Sequence, residues 1–382
     1  MMRLNMVPGT CLAAAVFVCI AAGAGYAQGV EFSGVLDSTV TLGAGAGAGF
    51  FYGVEEYANL RMTAKLREGV AFYGALNLTA LAGSPAAAAA PAFTAGENYA
   101  AALELERLSF RLNGEYLDFD GGLMRIAFGY GQVFGSSDFL NPKNPLIPDA
   151  RPRAVLGGTL SAYPADSLKL RLFGAAPKNP LSPDGAGGLL GIAGDRHGDR
   201  LSLQALYAFE SPREDSPRGI HRLGLSLKAD LSVGLVADLL YTRNPQAAFG
   251  PAGLSADAGF DYSFLDGDFY VLAEYLYNGA ASSTSARGGN PGFSGEHFLY
   301  AALRYRVNDY TGLTLACLSC LGDGSLAPIL TGEHELAQGF TLSLSAQAPL
   351  DRAVFSGGSG GELGPERTGS PFRFTAKARL RF

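Results

Sequence analysis

Pro371-Phe-Arg-Phe-Thr-Ala-Lys-Ala-Arg-Leu-Arg-Phe382 alternates without a break. Phe372, Phe374, Ala376, Ala378, Leu380 and Phe382 fall on one side of an extended chain. Arg373, Thr375, Lys377, Arg379 and Arg381 fall on the other. A period of two is a strand with one apolar and one polar face. The cationic face needs water and the apolar face needs to avoid it. A sandwich strand with a solvated face meets both demands, and so does a strand between lipid and an aqueous interior.

The rest of the chain decides between them, because the same alternation recurs along its length. The pattern predicts strands near 30–42, 54–66, 70–82, 99–113, 115–128, 152–163, 167–176, 199–209, 219–230, 233–243, 253–264, 267–278, 296–307, 310–319, 326–336, 340–349 and 371–382. Arg67-Glu68-Gly69, Asn113-Gly114, Leu265-Asp266-Gly267, Asn308-Asp309 and Ala337-Gln338-Gly339 supply tight hairpin turns between some of them. Longer Gly-, Pro-, Ser- and Ala-rich connections separate others. Short and long connections must take turns around a membrane barrel, and the strand number must be even. Counting from both ends, the order fails only between 177 and 198. A strand around Gly187–Gly194, turning through Asp195–Gly198, repairs it. The expected fold is therefore all-β: a closed, transmembrane antiparallel barrel of about 18 strands, with about 16 as the alternative, around a water-filled lumen.

Composition agrees. The chain is 48% hydrophobic and only 17% charged, and beyond the N-terminus its apolar residues are dispersed instead of gathered into long runs. At the N-terminus, Arg3, the apolar run Cys11–Ala22 and Gly25-Tyr26-Ala27 read as a signal peptide over 1–27, leaving one barrel domain over 28–382. That run is too short to span a bilayer as a helix, which takes roughly 20 residues. Cys317 and Cys320 remain; three residues apart along a strand is about 10 Å, too far for a disulfide. The net charge of −6 argues against nucleic acid as a partner.

Placing each continuous apolar face toward lipid sends the opposite face inward. Arg61, Lys65, Lys169, Arg171, Arg222, Lys228, Arg304, Arg306, Arg373, Lys377 and Arg379 then line the lumen with Glu104, Glu106, Asp118 and Asp120. Glu296, Asp238, Asp257, Asp261 and Glu274 join them. An Arg or Lys facing lipid at the midplane costs about 2–4 kcal/mol, and buried unpaired ions are costlier still. The interior must hold water. Basic residues gather on 371–382 with Arg61 and Lys65, and acidic ones on 99–128, which predicts either a transverse field or salt bridges that brace the wall.

The C-terminal strand resembles that of bacterial outer-membrane proteins, which ends in Phe and is read by the barrel-assembly machinery. On this resemblance Phe372, Phe374, Leu380 and Phe382 carry the assembly signal. Gly129-Tyr-Gly131, then Asp138, then Asn141-Pro142 is similar to a loop segment of porin-like families, although this chain has no Trp. Phe139, Leu140, Leu146 and Ile147 make the segment 129–151 too apolar for an exposed tip. Folded inward, it would narrow a pore with Asp138, Lys143, Asp149, Arg151 and Arg153 at the constriction. Folded otherwise, it caps the mouth or seats on a neighbouring subunit.

His197, His221, His297 and His334 are the only histidines. Neighbours such as Glu296-His297 point to opposite faces of a strand, and no G-x-S-x-G or H-E-x-x-H occurs. The expectation is no enzyme, no metal and no cofactor. The resemblance implies an outer-membrane porin passing small polar solutes or ions, with membrane lipid and the assembly machinery as partners and a homotrimer left open. The alternatives are a hydrophobic-solute transporter and a structural or adhesive barrel.

Overall fold

In the computed structural model, residues 29–44, 49–83, 94–95, 98–143, 145–146, 154–176, 188–212, 218–245, 249–279, 293–351, 361–364 and 370–382 are described. Eighteen strands make the wall. They are Val30–Ala44, Phe50–Arg67, Val70–Gly83, Tyr99–Asn113, Leu117–Met124, Val155–Ala165, Leu168–Ala176, Leu189–His197, Leu201–Glu210, Ile220–Asp230, Gly234–Arg243, Leu254–Phe264, Phe269–Asn278, His297–Asn308, Thr311–Cys320, Ser325–Ala337, Phe340–Gln347 and Phe372–Arg381. A two-residue strand, Thr94–Ala95, adds to Tyr99–Asn113 without entering the ring. Each wall strand pairs antiparallel with the next. The last closes on the first, from Val35 opposite Arg381 to Ala44 opposite Phe372. A closed sheet leaves no unpaired edge.

The predicted repair is present as Leu189–His197, although it runs on into the stretch expected to turn, with Asp195 opposite Gln204 and Lys169. The stretch predicted as 115–128 is shorter, because the chain leaves the wall after Met124. The signal peptide expected over 1–27 lies outside the described residues.

Facing residues of paired strands share a side, so register carries one polar face around the ring. Arg379 faces Asp37 and Thr341. Asp238 faces Ser226 and Asp257, and Arg304 faces Thr314 and Tyr270. The opposite face carries the exposed Leu residues, among them Leu223, Leu225, Leu239, Leu315 and Leu344. Near the short turns this outer face is aromatic: Phe269 stacks on Phe264 and Tyr305 at 5.2 and 4.5 Å. Near the long loops Tyr207 and Tyr275 meet His221 and His297 at 2.8 and 2.7 Å. Cys317 and Cys320 fall on opposite faces and are free thiols.

One turn carries strain. Leu265 and Asp266 take φ of 52° and 53°, a left-handed conformation costing a residue with a Cβ about 1–2 kcal/mol. Leu265→Gly should therefore raise the stability of the folded barrel by about 1 kcal/mol. The urea midpoint in lipid vesicles measures it, and an unchanged or lowered midpoint would dismiss the strain.

Candidate functional site

Beyond Met124 the chain turns into the barrel and crosses five consecutive strands of the wall, Leu201–Glu210 to Phe269–Asn278. Its backbone N–H groups are held by side chains projecting inward from those strands. Gly129 donates to Gln204 Oε1 at 2.7 Å. Tyr130 and Gly131 donate to the Asp238 carboxylate, each at 2.9 Å. Gln132, Val133 and Phe134 donate to Glu274 at 2.9, 3.0 and 2.7 Å, and Ser136 donates to Asp257. Ser226 and Ser255 add hydroxyl bonds to Ser137 and Ser136, both 3.1 Å. A buried carboxylate is expensive unless its charge is met by donors; here the loop's main chain supplies them, as charge-assisted bonds.

This explains the glycines. Gly129 has φ +77, and a Cβ on it would overlap the Asp238 carboxylate. A Cβ on Gly131 would lie 2.6 Å from Asp257 Oδ2 and 2.7 Å from Gly135 Cα. Only a bare backbone comes this close to the acids. The second half of the motif closes the loop on itself. Asn141 Nδ2 donates to Asp138 Oδ1 at 2.9 Å and to the Ile126 carbonyl at 2.7 Å. Lys143 Nζ donates to the Gly131 carbonyl at 2.5 Å. Apolar side chains complete the seat: Phe128 packs on Phe173 at 4.7 Å and on Phe139 at 5.6 Å, and Phe134 meets Phe293 edge-on at 6.1 Å.

The constriction residues predicted from sequence divide three ways. Asp138 is 2% exposed and engaged within the loop, so it braces the loop and does not line an opening. Burial pushes its carboxyl up from the ordinary range, opposed by the Asn141 hydrogen bond, Arg125 and Lys143. Lys143 is half-buried and caps a carbonyl. Asp149, Arg151 and Arg153 lie outside the described residues.

By strand register the charges expected to line the lumen share the face that holds the loop, and most have partners. Arg171 pairs with Asp195 at 3.3 Å, Arg222 with Glu210 at 2.8 Å and Lys228 with Asp230 at 3.1 Å. Arg306 pairs with Asp268 at 2.8 Å and Asp120 with Arg111 at 2.6 Å. Asp118 accepts from Tyr163 at 2.9 Å, and Lys169 lies over that ring at 5.6 Å. Arg379 grips Asp37 through two bonds, 2.7 and 2.8 Å. Lys65 and Glu31 pair loosely at the turn end, at 3.6 Å. Arg61 and Glu106 both meet Asn59, and Glu104 meets Asn77. Arg304 and Arg373 make no ion pair among the described residues. The expected separation into acidic and basic walls does not hold, since Arg107, Arg111 and Arg125 stand among the acids of 99–128. Bracing ion pairs account for many of the charges.

The loop thus fills one side of the interior. Across from it, Thr341, Ser343, Ser345 and Gln347 share the inward face with Arg373, Thr375 and Lys377, and Thr39 and Thr41 follow on the next strand. The loop's anchors, Gln204, Ser226, Asp238, Ser255, Asp257 and Glu274, were not identifiable as such from sequence. His221 and His297 sit on the outer face beside tyrosines, His334 meets Thr311 at 2.9 Å, and His197 meets Ser202 at 3.4 Å. His297 Nε2 also lies 3.8 Å from Glu296 Oε2; the expected split of that pair between opposite faces does not hold, because the strand begins only at His297.

No protein-family profile matches the sequence, and no curated protein matches it. Solved structures match the fold. OccAB4 of Acinetobacter baumannii aligns over 94% of this chain and 99% of its own, with a TM-score of 0.58 and 9% identity. OccK2 (OpdF) of Pseudomonas aeruginosa aligns over 93% and 100%, at 0.56 and 13%. The same OccK2, solved in complex with glucuronate, aligns over 93% and 100%, at 0.55 and 12%. At such identity the likeness is one of fold, nearly end to end.

Proposed function

We propose that the protein is a passive channel of a bacterial outer membrane for small polar solutes or ions. The passage runs along the polar side of the interior, from the strands that meet at closure to Tyr99–Asn113. One observation carries this reading: the inward loop packs its apolar side chains against one side of the ring, while the other side presents hydroxyls, amides and charges. A dry core would not tolerate that lining, and a ring of about 16–18 strands is wide enough to hold water beside a loop. The exposed Leu-rich outer face, bounded by aromatic side chains at both rims, suits lipid. The fold shared with the Occ barrels supports the same reading.

Refolded protein in planar bilayers should give stable, ohmic conductance steps. Vesicles containing it should swell in isotonic glucuronate, chosen because OccK2 was solved with that solute. Silence in both, with a folded barrel, would overturn the channel reading in favour of a structural or adhesive barrel. Swelling only with apolar solutes would favour a hydrophobic-solute transporter. Arg373→Gln together with Lys377→Gln should leave folding intact and shift the reversal potential in a salt gradient toward cation preference. An unmoved potential would remove those two side chains from the passage.

A further inference from the structure

Strict alternation along Tyr99–Asn113 would send Glu104 and Glu106 inward and Arg107 outward. An outward guanidinium in the wall would cost about 2–4 kcal/mol near the midplane. The strand avoids this with a bulge. Ala75 pairs with Arg107, yet the next residue, Leu76, pairs with Leu105, so Glu106 is the extra residue between them. Bulges re-aim side chains in this way. Beyond it the parity is reversed: Arg107, Ser109 and Arg111 face inward, while Leu108, Phe110 and Leu112 stay out. Arg107 lies over the Tyr73 ring at 4.9 Å and donates to Ser109 Oγ at 3.2 Å. Glu106 accepts a bond from Asn59. Two adjacent residues of opposite charge therefore share the inward face.

Asn59, two strands away, is 1% exposed. Its amide nitrogen donates to Glu106 and, at 2.6 Å, to Asn77 Oδ1; its oxygen accepts from Arg61 Nε. Tyr57 donates to the same Asn77 oxygen at 2.7 Å. The reverse amide orientation would set NH₂ against guanidinium and oxygen against carboxylate, so the neighbours fix the assignment. The primary amide offers a donor to the acid and an acceptor to the base at the same time.

We infer that this cluster is a charge-selective element of the passage, and that Asn59 is its positioning residue. Asn59 holds the Arg61 cation and the Glu106 anion in fixed places beside Arg107, across the barrel from the loop. A solute then meets a rigid plus–minus–plus array instead of three mobile side chains. The inference rests on the channel reading. It goes beyond it by placing charge selection on the barrel wall, under the control of a residue that bears no charge.

Single channels in a potassium chloride gradient test it, with heat-modifiable migration on gels confirming a folded barrel. Glu106→Gln should shift the potassium-to-chloride permeability ratio toward chloride, and Arg61→Gln toward potassium, each by about twofold. Asn59→Ala changes no charge, yet it should move the ratio by a similar factor and raise open-channel noise. Asn59→Ser, too short to span both partners, should do the same, and serves if the alanine variant does not fold. An Asn59 variant that folds and keeps both the parental ratio and the parental noise would overturn the inference while leaving the channel reading intact. A parental protein that conducts nothing would remove both.

Discussion

Replacing Asp238 and Glu274 together with Ala should release the Gly129–Ser136 segment from the wall and at least double the unit conductance. The two carboxylates accept the N–H groups of five consecutive residues, Tyr130 to Phe134. An N–H left without a partner away from water costs about 1–3 kcal/mol. Even with partial relaxation, the held position should lose on the order of 4 kcal/mol, enough to invert a loop equilibrium. The barrel wall should persist, because its strand ladders do not depend on either side chain. Asp238→Asn and Glu274→Gln should act more weakly, since each amide keeps one acceptor but turns a donor toward N–H groups. Protease added to vesicles should cleave the released segment between Gly129 and Asn141, which the parental fold protects. A double variant with parental conductance and full protection would show that the apolar seat around Phe128 and Phe134 suffices to hold the loop.

The wall was legible from sequence because alternation is a local property, and the rule that short and long connections take turns exposed the missing strand at Leu189–His197. The site was less legible, for two physical reasons. Asp238, Asp257 and Glu274 come from three strands, each more than a hundred residues from the N–H groups they accept. No local pattern links them, so they read as ordinary lumen charges. Asp138 was recognised as part of a motif, but a motif does not say whether a charge serves the solvent or the loop itself; Asn141 decided that. The bulge did leave a trace. Leu103, Leu105, Leu108, Phe110 and Leu112 step by two, then three, then two, and the step of three marks where parity breaks.

Asp37→Ala should impair closure of the barrel far more than loss of a more exposed ion pair. Asp37 is 6% exposed and accepts two bonds from the Arg379 guanidinium across the seam where the first strand meets the last. Every other wall pairing joins strands close in sequence, but this one joins residues 342 apart, so it carries the largest loop-closure cost of the ring. Removing the Asp37 carboxylate takes two charge-assisted bonds from the seam, at about 1.5–3 kcal/mol. The variant should refold to a smaller closed fraction on heat-modifiable gels and unfold at lower urea. Exchanging the charges, Asp37→Arg with Arg379→Asp, should recover part of the loss. Lys65→Ala is the control: Lys65 and Glu31 are 70% and 73% exposed and 3.6 Å apart, so solvent screening should leave stability unchanged. If Asp37→Ala and Lys65→Ala proved equally harmless, closure would have to rest on the backbone ladder and on the apolar packing of Phe372, Phe374, Leu380 and Phe382 alone.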